Sequence, residues 1–125
     1  MENNASALIV VRSPRIREGV RALLKSIPYL EIIDQADDGP SALKMVADHH
    51  PALVLLDSNL PDEEAWAVLK QTKALWPQTQ CLVLATSAEQ QWIAKAAGAD
   101  EVLLTGFPAS KFFTVIDGLL SRQQV

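Results

Sequence analysis

The sequence predicts an α/β protein in which an open parallel β-sheet is covered by helices on both faces. Short apolar runs recur along the 125 residues, and each is followed by a segment whose apolar residues have helical spacing. The intervals between the runs are too long for hairpins. The runs are almost continuously apolar, which is typical of strands buried on both faces. They occupy residues 7–11, 31–36, 52–57, 80–86 and 101–104.

The first and the last helical segments have the clearest patterns. After the first run, apolar side chains recur at helical spacing from Ile16 to Ile27, while Ser13 can cap the helix and Pro14 can begin it. The last helix also turns one apolar face toward the sheet. The residues of that face are Phe112, Val115, Ile116, Leu119 and Leu120.

Three further helices are predicted between them. Residues 39–49 form one, and Asp62 can cap a second that contains Trp66. Ser87 and Gln90 have the spacing of a capping box at the start of the third. Right-handed crossovers then place the functional loops at the carboxyl ends of the strands.

The composition indicates one domain over residues 1–125. The hydrophobic fraction of 49% suffices for a core, and Cys81 lies in an apolar run where a free thiol packs as a small hydrophobic group. The net charge is -4 and the cations are scattered, so we expect no direct contact with nucleic acid. No apolar stretch approaches the roughly 20 residues of a membrane span, and we expect a cytoplasmic protein.

Asp57 ends a fully apolar strand and is followed by the residues SNLPD, which begin a turn. A carboxylate at this edge can attack a phosphoryl group and form an acyl phosphate, provided that the charge of the transferred group is neutralised. The alternative is that Asp57 only caps the turn that follows it.

Four stretches carry a family resemblance: LIV with SPRIREGVRALL, DDGPSAL, LVLLDSNLPD, and AGADEVLLTGFP. Together they resemble the receiver domain of two-component response regulators, especially the branch linked to helix-turn-helix output domains. The resemblance runs from about Leu8 to Leu120. It implies a flavodoxin-like (βα)5 three-layer sandwich with the parallel strand order 2-1-3-4-5, and it implies that Asp57 is the phosphoacceptor.

The resemblance also implies two acidic residues that hold magnesium at the end of the first strand, where this sequence has Val11 and Arg12. Magnesium is bound through carboxylates in near-octahedral oxygen geometry, so we expect no bound metal. Asp37 and Asp38 end the second strand, and the first strand should separate them from Asp57. We interpret them as loop and helix-cap residues.

Other family positions are also changed. The lysine that pairs with the phosphoryl group corresponds to Thr105, and the aromatic switch position of the fifth strand corresponds to Val102. The hydroxyl at the end of the fourth strand is retained as Thr86, or as Ser87 if the shorter following loop shifts the match. Without the metal and the lysine, phosphoryl transfer should slow by many orders of magnitude.

Arg12 suggests a specific replacement for the metal. Its guanidinium could form a forked pair with the Asp57 carboxylate and hold the domain in one conformational state. The alternatives are that Arg12 turns outward to solvent, or that it binds a phosphate carried by Asp57 without metal.

The resemblance also locates a contact surface on the fourth helix, the fifth strand and the fifth helix. The candidate interface residues are Trp92, Val102, Phe107 and Phe112. An exposed tryptophan would be a good interface anchor, whereas Trp66 and Trp76 are expected in the core.

These observations favour a non-enzymatic, atypical receiver that acts through a protein partner, an output domain or homodimerisation. Two alternatives remain open. In one, a histidine kinase phosphorylates Asp57 and thereby controls a transcriptional output. In the other, a small anionic ligand binds in the strand-end crevice between Arg12, Asp57, Thr86 and Thr105.

Overall fold

A computed structural model describes residues 5–121. Strands and helices alternate through this range, and no helix in it is long and apolar enough to cross a membrane. A short 3-10 turn, Pro61–Glu63, precedes the third helix. The elements are β1 (Ala5–Val10), α1 (Pro14–Lys25), β2 (Leu30–Ala36), α2 (Gly39–His49), β3 (Leu53–Asp57), α3 (Glu64–Leu75), β4 (Gln80–Ala85), α4 (Ala88–Ala96), β5 (Glu101–Leu104) and α5 (Ala109–Ser121).

The five strands form one parallel sheet in the order β2-β1-β3-β4-β5. This confirms the predicted flavodoxin-like (βα)5 topology. Because all strands run in the same direction, their carboxyl ends share one edge of the sheet. β1 lies between β2 and β3, as expected.

Two hydrophobic clusters pack on opposite faces of the sheet, because successive side chains of a strand point to opposite faces. Ile9 and Leu55 belong to the cluster beneath α1 and α5, whereas Val10 and Leu56 belong to the cluster beneath α2, α3 and α4. Both clusters contain fully buried side chains from the central strands. The strands are therefore covered on both faces, which explains their continuously apolar sequences.

Capping side chains begin three of the helices as predicted. Ser13, Asp38 and Ser87 each accept a hydrogen bond from a backbone N–H in the first turn of α1, α2 and α4. The predicted Asp62 cap is wrong. Asp62 and Glu63 both have left-handed backbone angles, with φ of 56° and 57°, and α3 begins without a side-chain cap. The chain therefore enters α3 through the 3-10 turn.

The remaining core predictions concern two tryptophans and the cysteine. Trp66 and Trp76 are partly buried and pack against the cluster beneath α2, α3 and α4, which confirms their core role. Cys81 is fully buried, and burial raises the pKa of its thiol to about 12. The thiol is therefore inert at neutral pH.

Candidate functional site

Asp57 is the last residue of β3 and lies at the carboxyl edge of the sheet. Its side chain is buried, with 4% exposure, and its Oδ1 atom accepts a hydrogen bond from the Asn59 N–H at 3.0 Å. This bond to the residue two positions later is the turn-capping interaction that aspartate commonly makes. Asp57 thus lies at the strand end where the family resemblance implies a phosphoacceptor, and it has a structural role in the turn.

Val11 and Arg12 leave the edge of the sheet in different directions. Val11 is fully buried in the cluster beneath α1 and α5. Arg12 is exposed, and the ion pairs described for residues 5–121 do not include one between Arg12 and Asp57. The predicted forked pair is therefore wrong for this structure, and the outward orientation is the one observed.

The charge of Arg12 acts on the loop that follows the neighbouring strand β2. The pKa of Asp38 is lowered mainly by the hydrogen bonds that its carboxylate accepts from Ser41, and the charge of Arg12 contributes a smaller lowering. This loop lies on the side of β1 away from Asp57.

The residues at this edge do not fit a magnesium ion. Within residues 5–121, no three carboxylate, imidazole or thiol side chains converge where they could hold a metal. Asp57 is a single carboxylate, and β1 separates it from Asp37 and Asp38. A buried valine and an outward-turned cation supply none of the oxygen ligands that magnesium needs.

Thr105 follows β5 and is exposed. Its backbone N–H donates to the carbonyl of Ala85 at 2.8 Å, which extends the pairing of β4 and β5 by one bond. The side chain is neutral at the place where the family resemblance implies a lysine, so it brings no positive charge to this edge.

Thr86 is drawn into a hydrogen-bond network centred on Gln90 of α4. The Gln90 Oε1 atom accepts from the Thr86 N–H at 2.8 Å, the Thr86 hydroxyl at 2.7 Å and the Ser58 hydroxyl at 2.8 Å. The Gln90 Nε2 atom donates to Asn59 Oδ1 at 2.9 Å. The Thr86 hydroxyl is therefore already engaged within the protein.

The sequence predicts only a capping role for Gln90, and that role is half correct. Its N–H donates to the Ser87 hydroxyl at 3.1 Å, but its side chain bonds to Thr86 and to the loop after β3 instead of to the Ser87 N–H. The only signal for this was the polar pair Ser58 and Asn59 after Asp57, which provides partners that any nearby side chain could use.

The candidate interface residues divide by burial. Trp92 on α4 is 77% exposed. Ile93, the next residue of α4, and Leu104, at the end of β5, are also exposed. Val102 is buried beneath α4, and Phe112 is fully buried on the inner face of α5. These two predictions are corrected, because neither side chain can reach a partner.

Phe107 is half-buried and stacks on the ring of Phe112, with the ring centroids 5.8 Å apart. It lines an open groove of about 240 Å³ between α4, the end of β5 and the start of α5, together with Gln91, Leu104 and Lys111. Trp92 and this groove leave an accessible surface with aromatic, aliphatic and basic character.

Comparisons with known proteins agree with this architecture. The family model "Response regulator receiver domain" matches residues 7–117. "Transcriptional regulatory protein DegU" of Brevibacillus brevis is 24% identical over 117 residues, which cover 92% of this chain and 50% of that protein. "Chemotaxis protein CheY" of Bacillus subtilis is 25% identical over 107 residues, which cover 82% of this chain and 89% of that protein.

Among solved structures, a two-component response regulator of the LuxR family from Aurantimonas sp. SI85-9A1 superimposes with a TM-score of 0.87. The match has 20% identity and covers 96% of this chain and 87% of the other, so it shows the fold alone. The chain spans about half the length of relatives such as DegU and the Fimbriae Z protein of Salmonella typhimurium. The match to the family over residues 7–117 shows that this chain belongs to the response regulator receiver domain family.

Proposed function

We propose that this chain is an atypical receiver that acts in signal transduction through protein contacts, and that magnesium-dependent phosphorylation of Asp57 is not its switch. The observation that carries the proposal is the isolation of Asp57. Val11 is buried in the core, Arg12 is exposed and the ion pairs of residues 5–121 include none between it and Asp57, and Thr105 is neutral.

The electrostatics of phosphoryl transfer give this isolation its weight. Protein residues contribute to this reaction mainly by positioning the groups and by neutralising the charge that develops on the transferred oxygens. Asp57 keeps its position at the end of β3, but residues 5–121 contain no group of three carboxylate, imidazole or thiol side chains that could hold a metal, and Thr105 stands where the family resemblance implies a lysine. The correct position of Asp57 alone would leave most of the activation barrier to phosphoryl transfer in place.

The exposed residues of α4 and the groove beside β5 support a role in protein contact. Trp92 is a large amphipathic side chain with 77% exposure, and such residues are enriched among the anchors of protein interfaces. We propose that this surface binds a partner protein or output domain, or a second copy of the chain. The net charge of -4 supports contact with protein instead of nucleic acid.

Relatives such as DegU, named as transcriptional regulators, are about twice the length of their match to this chain. We therefore propose a cytoplasmic role in transcription regulation, in which any DNA contact is made by another domain. The chain itself is proposed to be non-enzymatic.

Intact-mass analysis after incubation with acetyl phosphate and magnesium tests the central claim. The expected result is no gain of a phosphoryl group, and Asp57→Ala is the control for any gain that occurs. A gain in the unaltered chain that disappears in Asp57→Ala would establish the phosphoacceptor alternative and overturn the proposal.

A restored variant makes a negative result informative. Val11→Asp, Arg12→Asp and Thr105→Lys together reintroduce both acids and the lysine that the family resemblance implies. If this variant keeps its far-ultraviolet circular dichroism spectrum, it should acquire the phosphoryl group that the unaltered chain lacks. A folded variant that stays unmodified would show that these three positions are not the cause of the loss.

A further inference from the structure

The Gln90 side chain connects three segments that the sequence leaves far apart. It starts on the first turns of α4, meets Thr86 at the end of β4, and reaches Ser58 and Asn59 in the loop after β3. Ser58 is buried, with 6% exposure, whereas Thr86 and Asn59 are exposed, so the network runs from the buried end of β3 out to the surface. One side chain thus bridges the loop that follows Asp57 and the helix that carries Trp92.

The hydrogen-bond partners of Gln90 determine which atom of its side-chain amide faces Thr86 and Ser58. The Thr86 N–H can only donate, so the atom opposite it must be the carbonyl oxygen. The same oxygen receives the hydroxyls of Thr86 and Ser58, which makes three donors at 2.7 to 2.8 Å. An amide oxygen has two lone pairs, so this oxygen is fully engaged.

Three donors converging on one oxygen form the arrangement that proteins use to hold a negatively charged oxygen. By family resemblance, the Thr86 hydroxyl is the group that would face a phosphoryl oxygen. Here the hydroxyl faces a neutral oxygen of the same chain, and that oxygen is attached to α4.

We propose that Gln90 is an intramolecular latch that engages the Thr86 hydroxyl and holds α4 and the loop after β3 in one arrangement. The inference rests on the proposed function, since it names how the contact surface is regulated: the latch, and not a phosphoryl group, sets the position of α4. Opening the latch frees the side chains of Thr86, Ser58 and Asn59 together, because the hydrogen bonds described for all three side chains are to Gln90.

Amide hydrogen exchange of Thr86, followed by NMR on the full chain without phosphodonor, tests the latch. Gln90→Ala should accelerate exchange of this amide roughly 5- to 10-fold, the effect of losing one hydrogen bond of ordinary strength. Gln91→Ala is the matched control, because it changes the same residue type one position along α4, and the hydrogen bonds described for residues 5–121 include none from its side chain.

Two substitutions of similar size separate the hydrogen bonds from simple packing. Gln90→Leu keeps the volume but offers no acceptor, so exchange at Thr86 should rise as in Gln90→Ala. Gln90→Glu keeps an acceptor oxygen and should preserve the slow exchange. If Gln90→Leu protects Thr86 as well as glutamine does, the network is packing and the latch is refuted.

A coupling readout distinguishes a latch from a local contact. Gln90→Ala should shift the amide signals of residues 57–60 together with those of the last turn of α4, residues 94–96, whereas Gln91→Ala should leave residues 57–60 unchanged. Shifts confined to Gln90, its contacts Thr86, Ser58 and Asn59, and the adjacent turn of α4 would overturn the proposal. These outcomes do not involve phosphorylation, so a phosphoryl gain in the mass experiment would refute the proposed function without deciding the latch.

Discussion

Lys73 joins three segments at the amino edge of the sheet, on the side opposite Asp57. Its Nζ atom donates to the carbonyls of Pro77 and Thr79 and to the Asp100 Oδ2 atom, each at 2.9 Å. The Asp100 Oδ2 atom also accepts from the Cys81 N–H at 2.7 Å. The lysine thus fixes the α3–β4 loop against the turn that enters β5.

Lys73→Met removes these bonds but keeps an apolar stem of similar length. Breaking a fully buried pair costs about 3–5 kcal/mol, because the remaining charge is left without its partner. Lys73 and Asp100 are each 19% exposed, so water can partly replace the lost bonds. We therefore expect the free energy of unfolding to fall by about 2–4 kcal/mol, or a melting temperature lower by about 8–16 °C.

Urea denaturation followed by circular dichroism measures this change. Lys70→Met is the matched control, because Lys70 is exposed on the same helix and the salt bridges described for residues 5–121 do not include it. The control should change stability by less than about 0.5 kcal/mol. In a double-mutant cycle with Asp100→Asn, the coupling energy should be about 1–3 kcal/mol. Equal stability of the Lys73 and Lys70 variants would refute the reasoning.

Three further predictions concern packing and protonation. Gly39→Ala should destabilise the protein by about 1–3 kcal/mol, because the new Cβ would lie 2.9 Å from Glu64 Cβ. Gly118→Ala is the comparison, because its Cβ meets nothing within 4 Å and should stabilise the protein. Thermal melts compare the two variants. Thr72→Val should raise the unfolding free energy by about 1 kcal/mol in urea, because the Thr72 hydroxyl is buried without a partner among the described residues; a lower value would contradict this. Cys81 should react with a thiol reagent at pH 8 only after unfolding. Burial raises its pKa from 9.0 to about 12, so its contribution to stability is complete below pH 9 and is lost as the pH rises toward 12; Cys81→Ala should flatten that loss in urea titrations from pH 8 to 11.

The fold could be predicted because its signals are local and repeated. Each strand is a short apolar run, and its alternate side chains enter opposite core clusters, as Ile9 and Val10 do. The helix starts at Ser13, Asp38 and Ser87 follow from the hydrogen bonds that these side chains make within one turn. Such interactions depend on residues close in sequence, so spacing is enough to find them.

Side-chain direction at the edge of the sheet could not be predicted in the same way. Arg12 could turn toward Asp57 or outward to solvent, and its place in the sequence does not decide between the two; in the structure the side chain is exposed. The network of Gln90 likewise depends on the approach of α4 to the loop after β3. The position of a residue in a motif predicts where it lies in the fold, but it does not predict which group its side chain contacts.

Phe112 is a different case, because the helical pattern contained the answer. The apolar stripe of α5 includes Phe112, and that stripe faces the core. Phe112 was predicted at the interface because the family's contact surface includes α5. That surface specifies helices and strands but not which face of each one is exposed. Where the helical pattern and the family's contact surface disagree, the apolar stripe of the helix predicts burial more reliably.

The edge of the sheet shows how Val11 and Asp57 contribute to the stability of the fold. An acidic residue at position 11 would hold charge next to the core, whereas Val11 is fully buried and adds apolar contact of the kind that contributes about 1.5–3 kcal/mol per side chain. Asp57 meanwhile accepts the Asn59 N–H, so it stabilises the turn without any phosphate. Asp57 and Val11 therefore both stabilise this edge of the sheet, on which Gln90 sets the position of α4.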